Sequence, residues 1–315
     1  MSAQPSTHPD VLIPAEAAAY GPAGRSEWLD IDWREHQHWR TVGGQKLNTI
    51  ELGGERADAH QTLVFIHGLS GCWANWLEQL PALAKDHRVV ACDLPGFGAS
   101  PMPDWEISIS HYARLLNDLL DQLEVDAAAV VGNSMGGFIG AELAIAFPRR
   151  VERLVLVSAA GVSTHEHRDA TRAMPAMVRA ERILAMTTAW AASKSDAFAR
   201  RARLRDIALS VVARHPSRLP AALAAEQIRG AGKPGFMRAF RATIDYAVRE
   251  RLPEIACPTL IVWGASDRLI TVKDADVFAE LIPDSRKVIF EDTGHLSMLE
   301  RPAAFNALLR DFLAE

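Results

Sequence analysis

The chain has 315 residues, 49% hydrophobic and 23% charged, with 34 Lys or Arg against 39 Asp or Glu for a formal charge of −5. That composition suits a globular protein with one large domain carrying an insertion, or two smaller domains, and it excludes extensive disorder. No stretch approaches the roughly 18 uninterrupted apolar residues of a membrane span, and no basic-then-apolar leader opens the sequence, so the expected location is the cytoplasm, with no nucleic-acid partner.

Residues 1–30, rich in Ala and Pro, are expected to form an irregular arm over the body. From Trp39 the chain alternates strand and helix signals. His38 to Val42 and Gln45 to Leu52 flank Gly43-Gly44, a turn that closes an antiparallel hairpin. Solid apolar runs follow at Leu63 to Ile66, Arg88 to Cys92, Ala127 to Val131, Leu154 to Val157, Leu260 to Trp263 and Val288 to Phe290. Between them lie helical patterns such as Ser110 to Leu123, with Leu115, Leu116, Leu119, Leu120 and Leu123 on one face. This order predicts an α/β fold: a mostly parallel sheet with helices on both faces and ligands bound beyond the carboxyl ends of its strands.

The alternation fails once. Between Ser158 and Leu252 the sequence offers only helical stretches broken by Pro175, Pro216, Pro220 and a Gly-rich loop at 230–235. A structureless connection of that length is uncommon, so residues 161–251 are expected to be an inserted helical lid, with the core at 31–160 and 252–315. The lid carries 17 Lys or Arg against 8 Asp or Glu, a balance of +9 over an acidic body. A solvated helical surface is the first reading of that balance, and attraction of an anionic substrate or docking to an anionic surface are the functional ones.

The strand at 127–131 runs into Gly132-Asn133-Ser134-Met135-Gly136-Gly137, and helical spacing resumes at Phe138. A dinucleotide fingerprint needs different glycine spacing and a phosphate loop needs a lysine, whereas G-x-S-x-G places a strained serine above the sheet edge. Such a hydroxyl needs a base, an orienter for the base and donors for an oxyanion. Asp267 and His295 each follow the end of a later strand, in the order Ser, Asp, His. The N–H groups of Leu69, just past the strand ending at Ile66, and of Met135 are the expected oxyanion donors, with His67 structural. Cys72, Cys92 and Cys257 are odd in number, far apart and without C-x-x-C, which speaks against a disulfide framework or a zinc site and for buried or semi-buried thiols. No metal or cofactor is expected.

HGLSG, DLPGFGAS at 93–100, GNSMGG, VWGASD and DTGH stand in this order, and over the chain from about Trp39 onward the sequence resembles the α/β-hydrolase superfamily. The resemblance implies nucleophile Ser134, acid Asp267 and base His295, with the lid after the sixth strand and Asp93 starting a structural turn. A serine nucleophile is incompatible with the alkyl-ester chemistry of the aspartate-dependent epoxide hydrolases and dehalogenases. Cleavage of carboxylic esters, with a carboxylesterase or lipase-like preference for an apolar acyl or aryl group, is the leading expectation. Its rival is C–C hydrolysis of the meta-cleavage type, which CWANW, GNSMGG and KPGFMRAF resemble and from which HGLSGC and Leu296 depart. A catalytically silent ligand-binding member is the remote alternative. The expected substrate contacts are Ser70, Asn75, Asn133, Met174, Trp190, Arg229 and Leu296, with Met177, Met186 and Phe198 adding apolar lid surface. The oligomeric state is open.

Overall fold

A computed structural model describes residues 10–54, 61–163, 190 and 192–315. Nine strands form one sheet: β1 (Val11–Ile13), β2 (Gln37–Val42), β3 (Gln45–Leu52), β4 (Thr62–Ile66), β5 (Arg88–Cys92), β6 (Ala128–Asn133), β7 (Val151–Val157), β8 (Thr259–Gly264) and β9 (Ser285–Phe290), in the order β1-β9-β8-β7-β6-β4-β5-β3-β2. The β2-β3 and β3-β5 pairs are antiparallel and all others parallel. The helices are α1 (Leu80–Leu83), α2 (Ile109–Gln122), α3 (Met135–Ala146), α4 (Ser195–Arg200), α5 (Ala202–Leu209), α6 (Ala221–Gly230), α7 (Phe236–Asp245), α8 (Lys273–Leu281), α9 (Ser297–Glu300) and α10 (Pro302–Ala314).

The apolar runs become central strands because both their faces are covered. Along β4, Val64 and Ile66 enter one core while Leu63 and Phe65 enter the other. The first core is filled by α2, α3 and α8, the second by α1 and α10. Ser108 caps α2 by accepting from the His111 N–H at 3.1 Å, and the helix buries its stripe from Ile109 to Leu120. Helix α3 is apolar nearly all round because it is buried from Met135 to Ile145. After β4 the chain goes to β5 on one side and returns to β6 on the other, so the carboxyl ends of β4 and β6 lie at the switch point where such sheets bind ligands.

The N-terminal arm is not irregular throughout, contrary to the expectation for residues 1–30. Val11–Ile13 pairs in parallel with Val288–Phe290, because the edge of β9 offers unpaired backbone groups. Trp28 is buried in the second core, and its indole N–H donates to Glu78 at 2.8 Å.

Between β7 and β8 the described residues contain helices α4 to α7 and no strand. They have a small core of their own around Ala199, Leu209, Ala224, Ala225 and Ile228. They meet the sheet domain at loops following strands: Gly235 N–H donates to Gly96 O at 2.9 Å, and His295 N–H to Val212 O at 3.0 Å. Among the described residues, no helix is long and apolar enough to cross a membrane.

Candidate active site

Ser134 sits between β6 and α3 with φ 56° and ψ −119°, a conformation that L residues rarely hold. It is fixed on both sides, since its N–H donates to Val157 O at 2.9 Å and its carbonyl accepts from Phe138 and Ala160 at 3.1 and 3.0 Å. The flanking glycines are required by space. A Cβ on Gly132 would stand 2.3 Å from Gly136 O, and one on Gly136 would stand 2.2 Å from Ile66 O.

His295 and Asp267 converge on the same end of the sheet. His295 Nδ1 lies 2.7 Å from Asp267 Oδ2, and both side chains are almost wholly buried. The other carboxylate oxygen, Oδ1, accepts from the Leu269 and Ile270 N–H groups at 2.8 and 3.0 Å, so the acid cannot rotate freely. His295 Nε2 is buried and has no hydrogen-bond partner among the described residues. A buried ring nitrogen without a partner is costly to maintain.

The loop after β4 approaches Ser134 closely: a Cβ on Gly68 would lie 3.1 Å from Ser134 Cβ. Leu69 therefore follows directly on the residue packed against the serine, and Met135 opens α3, where the first N–H groups have no acceptor within the helix. His67 is neutral and structural in its bonding. Its Nε2 accepts from Leu94 N–H at 3.0 Å while Nδ1 faces Gly68 O at 2.8 Å, and burial holds its pKa below the ordinary value. Asp93 organises its turn by accepting from Asn48, Trp73 and Ala99, each at 2.8 Å.

The expected substrate contacts fall into different places. Asn133 is buried, and its amide donates to the carbonyls of Val157 and His295 at 3.1 and 3.3 Å, tying the elbow to the histidine loop. Asn75 is buried beside Gly71 and donates to Gln227 of α6, while Gln227 donates to Ala74 O at 3.0 Å. Ser70 is half-buried with φ 65°, and Leu296 is buried. Trp190 is exposed and packs edge-on against Phe198. The Arg229 guanidinium is half exposed and ion-paired with Asp196 at 3.0 Å and with Glu226. Met174, Met177 and Met186 lie outside the described residues. The three thiols are unbridged; burial pushes Cys72 and Cys92 up to about 12 and Cys257 up to about 11, so none is poised as a nucleophile. Among the described residues, no group of His, Cys, Asp and Glu is arranged to hold a metal ion.

Sequence reasoning overlooked Glu300. It is fully buried, and it receives the N–H groups of Gly294 at 3.0 Å and Leu296 at 3.3 Å, the neighbours of His295 on either side. A carboxylate among Leu296, Met298 and Leu299 stands out in the sequence, but nothing there names its partners.

A serine on a strained strand-to-helix turn, beside a histidine oriented by a buried aspartate, defines a hydrolase of the nucleophile-elbow kind. The alpha/beta hydrolase fold family model matches residues 61–302, and the chain belongs to that family. It is 32% identical over 295 residues to 2-hydroxymuconate semialdehyde hydrolase of Pseudomonas sp. strain CF600, covering 85% of this chain and 96% of that protein. It is 31% identical over 289 residues to 2-hydroxy-6-oxo-2,4-heptadienoate hydrolase of Pseudomonas putida strain F1, covering 87% and 94%. Among solved structures, a bacterial membrane phospholipase A superposes with a TM-score of 0.68 at 28% identity, covering 88% of this chain and 85% of that one.

Proposed function

We propose that the chain is a serine-dependent hydrolase that cleaves a carbon–carbon bond of a hydroxy-oxo-dienoate, with Ser134 as nucleophile, His295 as general base and Asp267 as its orienter. The pairing of His295 Nδ1 with Asp267, on a loop tied to the elbow through the Asn133 amide, carries the assignment of chemistry, because it leaves the buried Nε2 as the ring nitrogen that can accept a proton from a hydroxyl or water. Asp267 holds the proton on Nδ1, which leaves Nε2 free to accept. The N–H groups of Leu69 and Met135 meet the oxyanion, each contributing roughly 3 to 4 kcal/mol of transition-state stabilisation. The helical segment between β7 and β8 serves as a lid over the strand ends.

The substrate class rests on the two relatives above, which supersede the ester as the leading expectation. A hydroxy-oxo-dienoate contains no ester, so its hydrolysis must break the bond between the oxo carbon and the adjacent chain carbon. That carbon leaves with an electron pair. Shifting the enol proton from the 2-hydroxyl oxygen to this carbon first creates a conjugated 2-oxo group, into which the pair then delocalises; water supplies hydroxide to the acyl fragment.

Hydrolysis of a neutral ester with an apolar acyl or aryl group is the second reading, and Arg229 favours it. The cation that the sequence offers for a substrate carboxylate is engaged with Asp196 and Glu226. Measuring kcat/KM side by side for 2-hydroxy-6-oxo-2,4-heptadienoate and p-nitrophenyl butyrate separates the two. We expect the dienoate to be preferred by about 100-fold, equivalent to roughly 2.7 kcal/mol; the reverse ranking would establish the esterase.

A further inference from the structure

Three consecutive N–H groups around the base are anchored outside their own loop. Gly294 and Leu296 donate to the Glu300 carboxylate, and His295 between them donates to Val212 O. Glu300 Oε2 also accepts from Arg214 N–H of the inserted segment and from the Tyr20 hydroxyl of the N-terminal arm, both at 2.8 Å. Tyr20 Oη in turn accepts from His215 N–H at 2.9 Å, and Gly21 N–H donates to Glu300 O at 2.7 Å. The neighbouring Arg301, almost wholly buried, straps the same loop to the arm: it donates to Thr293 Oγ1 and Asp292 O, each at 3.0 Å, and to the carbonyls of Ala18 and Ala15.

Such an arrangement is expensive to bury. Burial pushes the Glu300 carboxyl up, the donors around it pull it back, and burial together with the charge of Glu300 holds the Tyr20 hydroxyl above its ordinary value as a proton donor. A buried carboxylate whose donors are satisfied in this way rigidifies the backbone groups it holds. The position fixed here is that of the base, where a displacement of about 1 Å costs on the order of 10²-fold in rate.

We propose that Glu300 is a positioning residue for His295 and that the Tyr20 hydroxyl acts through it, which makes the arm N-terminal to β2 a working part of the catalytic apparatus. This rests on His295 being the base that activates Ser134. Tyr20→Phe removes one hydroxyl and keeps the ring beneath the Arg218 and Arg301 guanidiniums, which lie 4.7 and 5.0 Å away. Glu300→Gln is isosteric but turns an amide toward N–H donors.

The test is the second-order rate of Ser134 labelling by a fluorophosphonate, read by intact mass well below each variant's unfolding midpoint. Expected are a fall of about 3- to 10-fold for Tyr20→Phe and of about 100-fold or more for Glu300→Gln, with the double variant no slower than Glu300→Gln alone, since groups acting as a unit are not additive. A merely structural role would lower the midpoint without this non-additive loss. Should Glu300→Gln fail to fold, Tyr20→Phe decides alone, with the downfield imidazole proton shared between His295 and Asp267 as a second readout. Tyr20→Phe labelling at the wild-type rate, with that proton unmoved, overturns the proposal. Wild-type protein that fails to label at all overturns the nucleophile assignment instead.

Discussion

Asp267 and His295, 28 residues apart in sequence, meet through Oδ2 and Nδ1 at 2.7 Å with almost no solvent contact. Because Oδ1 is already held by two backbone N–H groups, Asp267→Asn must turn its amide nitrogen either toward those donors or toward the ring. Turned toward the ring, it favours the tautomer with the proton on Nε2, which cannot accept from serine. We expect kcat to fall about 10⁴-fold with little change in the unfolding midpoint. A loss below tenfold would show that the tautomer is set by something else.

At the elbow, the close approach of Gly136 to β4 sets a stability prediction. A Cβ there would stand 2.2 Å from Ile66 O and 2.6 Å from His67 O, both backbone atoms with no room to yield. Gly136→Ala is expected to cost about 3 kcal/mol or more and to shift the elbow, lowering the thermal midpoint by several degrees and activity with it. Scanning calorimetry showing an unchanged midpoint would mean that the elbow tolerates the methyl group.

Arg229 lies in half-exposed ion pairs with Asp196 and Glu226, and pairs of that kind contribute about 0 to 1 kcal/mol. Arg229→Ala should therefore leave KM for both a carboxylate-bearing and a neutral substrate within about twofold of wild type. A selective rise in KM for the anionic substrate alone would restore Arg229 as its partner, and with it an electrostatic role for the basic segment.

Glu51 sets a pH dependence of stability. Burial pulls its carboxyl upward, but the Arg40 and Arg88 guanidiniums, at 2.6 and 3.2 Å, outweigh that and hold it below the ordinary carboxylate range. A carboxyl depressed in the folded state stabilises the protein at pH above its unfolded value of about 4.3, and the contribution disappears as pH falls through the folded value. The midpoint difference between wild type and Glu51→Gln should be largest near neutrality and shrink steadily in acid below about pH 4. A difference independent of pH would assign the effect of Glu51 to packing.

Much of the site was legible because its chemistry is local. Ser134, Asp267 and His295 each stand a few residues past a solid apolar run, so recognising strand ends was enough to find them. Six of the eight longer strands were readable as such runs, and β2 and β3 from the Gly43-Gly44 turn between them. Strand β1 was not, because three residues before Pro14 carry too little periodicity, and its existence depends on an edge supplied by β9 nearly 280 residues later. Glu300, Tyr20 and Arg301 were missed on similar grounds. Their roles arise from contacts between the arm, the inserted segment and the histidine loop, and no spacing in the sequence records that meeting. Asn133 and Asn75 were visible as polar residues at the right place, but only the structure reveals that their amides are committed to protein partners.

The most direct test of the central claim is the turnover of 2-hydroxy-6-oxo-2,4-heptadienoate by wild type and by Ser134→Ala, followed by loss of the dienoate and by quantifying acetate. Covalent catalysis needs the Ser134 oxygen itself, so wild type should release one acetate per dienoate consumed while Ser134→Ala falls about 10⁴-fold or more. A Ser134→Ala protein that retains a tenth of the wild-type rate would contradict the account.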